Sequence, residues 1–224
     1  MGAFGALLLA HLLGDFPCQP YSMIRWKIAS VRGLAVHVAI QMALSLPLLI
    51  WFVPGWGWWA LFLAATHFTI DWLKVRLTRA GWIELGAFFL DQTLHIGVLW
   101  TIVRASGAEV AFGGTTAAVL RLAVVFVLAI YAGAVVEFLV GAALKGADGG
   151  FAPIPSAERR RGALERSATV LGALLLSPAA SIVLASGYAL ATAYRQQDGQ
   201  SRVKQVVSIA WALLVTLVVR QVAV

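Results

Sequence analysis

Three histidines each stand four residues from an aspartate: His11 with Asp15, His67 with Asp71, and His95 with Asp91. Side chains four apart on a helix share a face, with Cβ atoms about 6 Å apart. Each pair therefore offers an imidazole and a carboxylate in one direction, as two ligands of one metal require. His37 is the fourth histidine, and Lys74 follows Asp71 by three, on the face of His67 and Asp71. Histidine and aspartate without cysteine suit zinc, manganese or iron as a divalent metal ion. Seven candidate ligands (His11, Asp15, His37, His67, Asp71, Asp91 and His95) exceed one tetrahedral site. They fill either a dinuclear site or one site whose imidazoles the remaining carboxylates orient. Three carboxylates gathered without a cation would repel one another, and a bound divalent ion removes that conflict.

The elements that position these residues belong to a chain too apolar for water. Of 224 residues, 61% are hydrophobic and 12% charged, with a mean hydropathy of +0.86. Soluble domains carry about 25% charged residues. A soluble enzyme and a disordered chain are both excluded. What remains is an all-α, polytopic integral membrane helix bundle. Apolar runs cover Gly2–Phe16, Leu34–Val53, Trp56–Leu73, Gly86–Val103, Ala117–Leu144, Gly162–Tyr194 and Val203–Val224. The first lacks the basic flank and cleavage site of a signal peptide and reads as a retained segment. The sixth, as one helix, would be about 50 Å long against a hydrocarbon core of about 30 Å. Ser177-Pro178 lies near its middle and divides it into arms near Gly162–Leu176 and Ala179–Tyr194, since proline removes a backbone donor.

Positive charge tests that division. Fourteen of the 17 basic residues lie in four groups, at 25–32, 74–79, 145–166 and 195–204. About seven to eight transmembrane segments fit the chain; with eight, all four groups face one side. The positive-inside rule then puts the N-terminus outside. The net charge of +7 thus records topology rather than a nucleic-acid partner. The uncharged stretch from Trp51 to Trp59 holds four of the nine tryptophans, as an outer aromatic belt should. Residues 1–105 read as a four-span module carrying the His/Asp cluster, and residues 106–224 as further spans. A flexible cytoplasmic linker is expected near 145–161, where Gly, Pro, Asp and Arg accumulate. One cysteine, Cys18, excludes an internal disulfide.

Antiparallel threading brings the cluster to one depth. His11 and Asp15 end the first segment, His37 begins the second, His67 and Asp71 end the third, and Asp91 and His95 begin the fourth. All seven lie within about 15 Å of the cytoplasmic face. Buried polar residues can also serve only as interhelical hydrogen-bond glue, worth about 0.6 kcal/mol each on average. Seven at one depth exceed what packing needs, and ionisable residues inside a membrane are functional by default. Other features are weaker. Glu137 and the Glu165-Arg166 pair fall near the same face, where a glutamate could be a general base, although ion pairing is the simpler reading. Gln92 faces another way from Asp91 and is expected to bond a neighbouring helix. Arg25, Trp26 and Lys27 could hold a lipid phosphate, but interfacial anchoring is the plainer role. The chain carries no nucleophile pattern and no glycine-rich phosphate loop.

The motifs HLLGDF (11–16), the single His37, HFTIDWLK (67–74), DQTLH (91–95) and GALERS (162–167) resemble those of bacterial membrane proteins grouped as domain of unknown function 3307. The resemblance implies roles for His11, Asp15, His37, His67, Asp71, Lys74, Asp91, Gln92, His95, Glu165 and Arg166, and a multi-pass protein of the bacterial inner membrane. It implies no reaction.

The residues point first to a metal-dependent intramembrane hydrolase. His67, Asp71, Asp91 and His95 would hold the metal, with His11 and Asp15 completing or supporting the site. Lys74 would stabilise developing negative charge, and Glu165 or Asp15 would move protons. Membrane lipids are the expected partners, and an anionic lipid or small amphiphile bearing an ester, amide or phosphoester the expected substrate, entering from the cytoplasmic side. The alternatives are a metal-ion or proton transporter, which needs polar residues spread across the membrane, and a structural protein with a hydrogen-bonded polar core.

Overall fold

The computed structural model describes residues 2–77, 81–108, 110–146, 156–195 and 199–221. Among these residues the fold is all-helical apart from an isolated bridge between Gly2 and Ala111. The helices are α1 (Ala3–Asp15), α2 (Tyr21–Ala29), α3 (Val31–Phe52), α4 (Trp56–Leu77), α5 (Trp82–Ser106), α6 (Gly114–Val127), α7 (Gly133–Lys145), α8 (Ser156–Leu175), α9 (Pro178–Arg195) and α10 (Gly199–Gln221). A π-helical turn, Leu128–Ala132, joins α6 to α7. The chain divides into two compact units, Met1–Thr78 with Gly86–Val124, and Arg79–Leu85 with Val125–Val224.

The local chemistry explains the start of the first unit. Pro17 and Pro20 terminate α1 and open α2, because proline cannot continue a helical ladder but fits a helix start. Ser30 ends α2 and caps α3, its Oγ accepting the Gly33 N–H at 3.0 Å. A Cβ on Gly33 would run into the Trp26 carbonyl, so glycine there lets α2 lie against α3. Helix α2 was not expected: its nine residues occupy what the apolar runs leave as a cytoplasmic loop. Between α1, α3, α4 and α5 the apolar core holds Leu7, Leu49, Leu63, Leu99 and Ile102. Ligand-type residues lie one or more turns further toward the end of α1 and α4 and the start of α3 and α5.

Four stretches are long and apolar enough to cross a membrane: Val31–Phe52, Trp82–Ser106, Gly114–Lys145 and Arg202–Arg220. The expected seven to eight are not reached by length and composition. Helix α1 has only 13 residues. Helix α4 has 22, but His67, Asp71 and four tryptophans lower its hydropathy. The apolar part of α9, Pro178–Ala191, is short, and α8 opens with charged residues. Apolar side chains nonetheless point outward along these helices, including Leu61, Leu90, Trp100, Val183 and Leu190, each more than half exposed.

In the second unit the 162–194 run is two helices, α8 and α9, separated at Leu176-Ser177 as the proline position requires. Residues 147–155, the centre of the expected linker, lie outside the described residues. Arg159–Arg161 belong to α8 rather than to a linker. Val125, Ala129, Val170, Ala212 and Val215 form this unit's core, and the Trp211 indole N–H donates to the Leu128 carbonyl of the π-turn at 2.9 Å.

Candidate metal centre

Three helices of the first unit bring three ligand atoms together and set an oxygen of Asp71 beside two of them. The Nε2 atoms of His37 (α3) and His67 (α4) lie 3.2 Å apart. Asp15 Oδ1, at the end of α1, is 3.4 Å from the first and 3.6 Å from the second. Asp71 Oδ2, one turn after His67, is 3.2 Å and 3.5 Å from the same two atoms. Ligands held about 2.0–2.1 Å from one tetrahedral ion are separated by about 3.3–3.4 Å. The observed separations match that spacing. Both imidazoles and Asp71 are at most 1% exposed, so no bulk water competes for these atoms.

Helix α5 adds a second set of ligand atoms. His95 Nδ1 lies 2.9 Å from the Asp91 backbone carbonyl. A carbonyl only accepts, so Nδ1 carries the proton and Nε2 presents a lone pair. That Nε2 is buried and has no hydrogen-bond partner. The His95 ring sits 4.2 Å from that of His67 and 4.9 Å from that of His11, between centroids. His11 Nε2 is 3.6 Å from Asp15 Oδ2. Three sets of residues can thus offer ligand atoms within 4.8 Å of one another: Asp15, His37 and His67; His11, Asp15 and His95; and Asp71, Asp91 and His95. Three of the four expected ligands, Asp71, Asp91 and His95, form one of these sets; His37 and Asp15, with His67, form another, with separations of 3.2–3.6 Å.

Cations already border the carboxylates. Lys74 Nζ donates to Asp91 Oδ2 at 2.7 Å and lies over the Phe88 ring. Lys27, delivered by α2, donates to both oxygens of Asp71 at 3.3 Å and to Gln19 Oε1 at 3.2 Å. Gln92 Nε2 donates to Asp15 Oδ2 and Asp91 Oδ2, both at 3.1 Å. Gln92 thus bonds α1, as expected, but it does not face away from Asp91, which it also bonds. With neutral imidazoles, the three aspartates and two lysines leave one negative charge. Buried polar atoms normally find partners; here His11 Nε2, Asp15 Oδ1, His37 Nδ1, Gln41 Oε1, His67 Nδ1, Asp91 Oδ1 and His95 Nε2 have none.

Two contributors were missed in the sequence. Lys27 read as a surface anchor, and only the tertiary position of α2 reveals its role. Gln41, fully buried, bonds Ser45 Oγ at 3.3 Å and packs on Gly14, whose missing Cβ leaves it room. The spacing His37, Gln41, Ser45 marks one polar stripe on an apolar helix and could have signalled it. Glu165 lies in the other unit, where Arg161 Nε and Gln205 Nε2 donate to its Oε1 at 2.9 and 3.3 Å. Arg166 is buried there and donates through Nη1 to Glu137 and Ser208, each at 2.7 Å. Glu137 and Glu165 thus both stand in ion pairs.

A family model described as "Protein of unknown function (DUF3307)" matches residues 3–123, more than half of the chain. The matched stretch contains every residue of the His/Asp cluster and ends before Glu165 and Arg166. No curated protein and no solved structure matches.

Proposed function

The chain belongs to the DUF3307 family of proteins of unknown function, and we propose that it is a multi-pass inner-membrane protein whose His/Asp cluster binds a divalent metal ion, zinc, manganese or iron, and carries out hydrolysis. One observation carries this reading: Asp15 Oδ1, His37 Nε2 and His67 Nε2 lie 3.2–3.6 Å from one another, as three ligands of one ion do. A divalent ion held there lowers the pKa of a bound water toward about 7. His95 Nε2, its lone pair left free by the Nδ1 bond, would accept a proton from such a water. Lys74 and Lys27, which donate to Asp91 and Asp71, would stabilise developing negative charge. Charge favours one ion over two: one dication would change the cluster's net charge from −1 to +1, and two would raise it to +3.

In the membrane we place eight crossings with the N-terminus outside, the shorter helices α1 and α9 included, so that the cluster lies beneath the cytoplasmic face. A substrate would then enter from the inner leaflet. The four imidazoles also form a chain, His37–His67–His95–His11, with centroid spacings of 5.2, 4.2 and 4.9 Å. That chain favours a second reading, proton or metal-ion transport. Full-length protein in proteoliposomes separates the two. Metal-dependent product release from ester, amide or phosphoester amphiphiles supports hydrolysis. Response of trapped metal- or pH-sensitive dye without turnover supports transport.

A further inference from the structure

We infer that the substrate of this centre is a phosphoester carried by a membrane amphiphile; this rests on the metal reading above and narrows it. Two lysines at the cluster are not needed for ordinary metal binding. Lys27 is 9% exposed and Lys74 26% exposed at the side chain, they come from different helices, and both place Nζ on carboxylates of the cluster. An ion that takes Asp71 or Asp91 as ligand weakens the hold of those carboxylates on the lysines. The centre then contains two ammonium groups and a dication against three carboxylates. A buried surplus of positive charge requires an anion to compensate it.

Neutral esters and amides bring no such charge. A phosphoryl group brings it on oxygens arranged tetrahedrally, so that one can meet the metal while others meet Lys27 and Lys74. Lysine and metal clamps of this kind are the general means of stabilising phosphoryl transfer. The apolar part of the ligand has a place as well. Trp26 and Ile28, which flank Lys27 on α2, are each 45% exposed and give that helix apolar surface for the amphiphile's chain. In the hydrolysis, water's oxygen bonds to phosphorus and the P–O bond to the amphiphile's alcohol breaks. One water proton stays with the phosphate product. The other reaches the leaving alcohol oxygen through His95 Nε2.

The test is Mn2+ titration of the detergent-purified full chain, alone and with inorganic phosphate, short-chain phosphatidic acid or the matching diacylglycerol. Phosphate-bearing probes should tighten Mn2+ binding about tenfold, and diacylglycerol should leave it unchanged. Lys27→Met and Lys74→Met should bind Mn2+ alone at least as tightly as the parent, because a competing cation is gone, yet lose the tightening. Lys27→Arg should retain it. Tightening by phosphatidic acid alone assigns the ligand to a lipid; tightening by both probes assigns it to the phosphate group, and either result supports the inference. Mn2+ binding that neither probe changes, or that diacylglycerol tightens equally, overturns the phosphoester assignment and leaves the metal site standing. No Mn2+ binding under any condition overturns both.

Discussion

Asp71→Asn isolates the contact that ties α2 to the cluster. The change keeps the side chain's shape and removes the charge that Lys27 meets at 3.3 Å through both oxygens. At that distance the Coulomb energy is about 5 kcal/mol for an effective dielectric constant of about 20. Removing one partner of a buried pair costs about 3–5 kcal/mol, because the other charge stays buried. Lys27 keeps Gln19 as an acceptor, which places the loss at the lower end, about 3 kcal/mol. Lys27→Met should cost less, about 2 kcal/mol, since Asp71 retains His37 and His67 at 3.2 and 3.5 Å. The double variant removes both charges and should lose about 2 kcal/mol rather than about 5, a coupling of about 3 kcal/mol. For a chain of this size each kcal/mol moves the thermal midpoint by about 2–4 °C. Far-UV circular dichroism of the four proteins, melted in one detergent, should therefore show the double variant well above the additive expectation. Additivity of the two single losses would refute the contact and the placement of α2.

Gly14→Ala sets a Cβ against Gln41 Oε1 and Cδ in a fully buried setting, so it should destabilise by about 1–3 kcal/mol, measured by the same melts. Cys18 is free and exposed just beyond α1, so a membrane-impermeant maleimide should label it in ruptured but not in intact spheroplasts; labelling of intact cells would reverse the topology.

The cluster was legible because its chemistry is written in local spacing. His11/Asp15, His67/Asp71 and Asp91/His95 are each one helical turn apart, and alternation of apolar segments places their ends at one depth. What spacing cannot express is which atoms meet. One set pairs His37 with His67 and reaches back to Asp15, contacts that depend on helix packing across 22 residues or more. Lys27 was hidden for the same reason: its partner is 44 residues away, and α2 has too few apolar residues to stand out. Helix α4 is not among the four stretches apolar enough to cross a membrane, because the residues that build the site also lower its apolarity. The division of 162–194 was readable, since length and one proline suffice to require it.

The central claim is that the Asp15, His37 and His67 atoms hold a divalent ion. Elemental analysis of the detergent-purified full-length protein, compared with His37→Ala and His67→Ala, tests it most directly. The account predicts about one zinc, manganese or iron per chain in the parent and its loss in both variants, as expected when a catalytic-type site has only three protein ligands. Full metal content in both folded variants, or none in the parent after supplying each of the three metals, would contradict it.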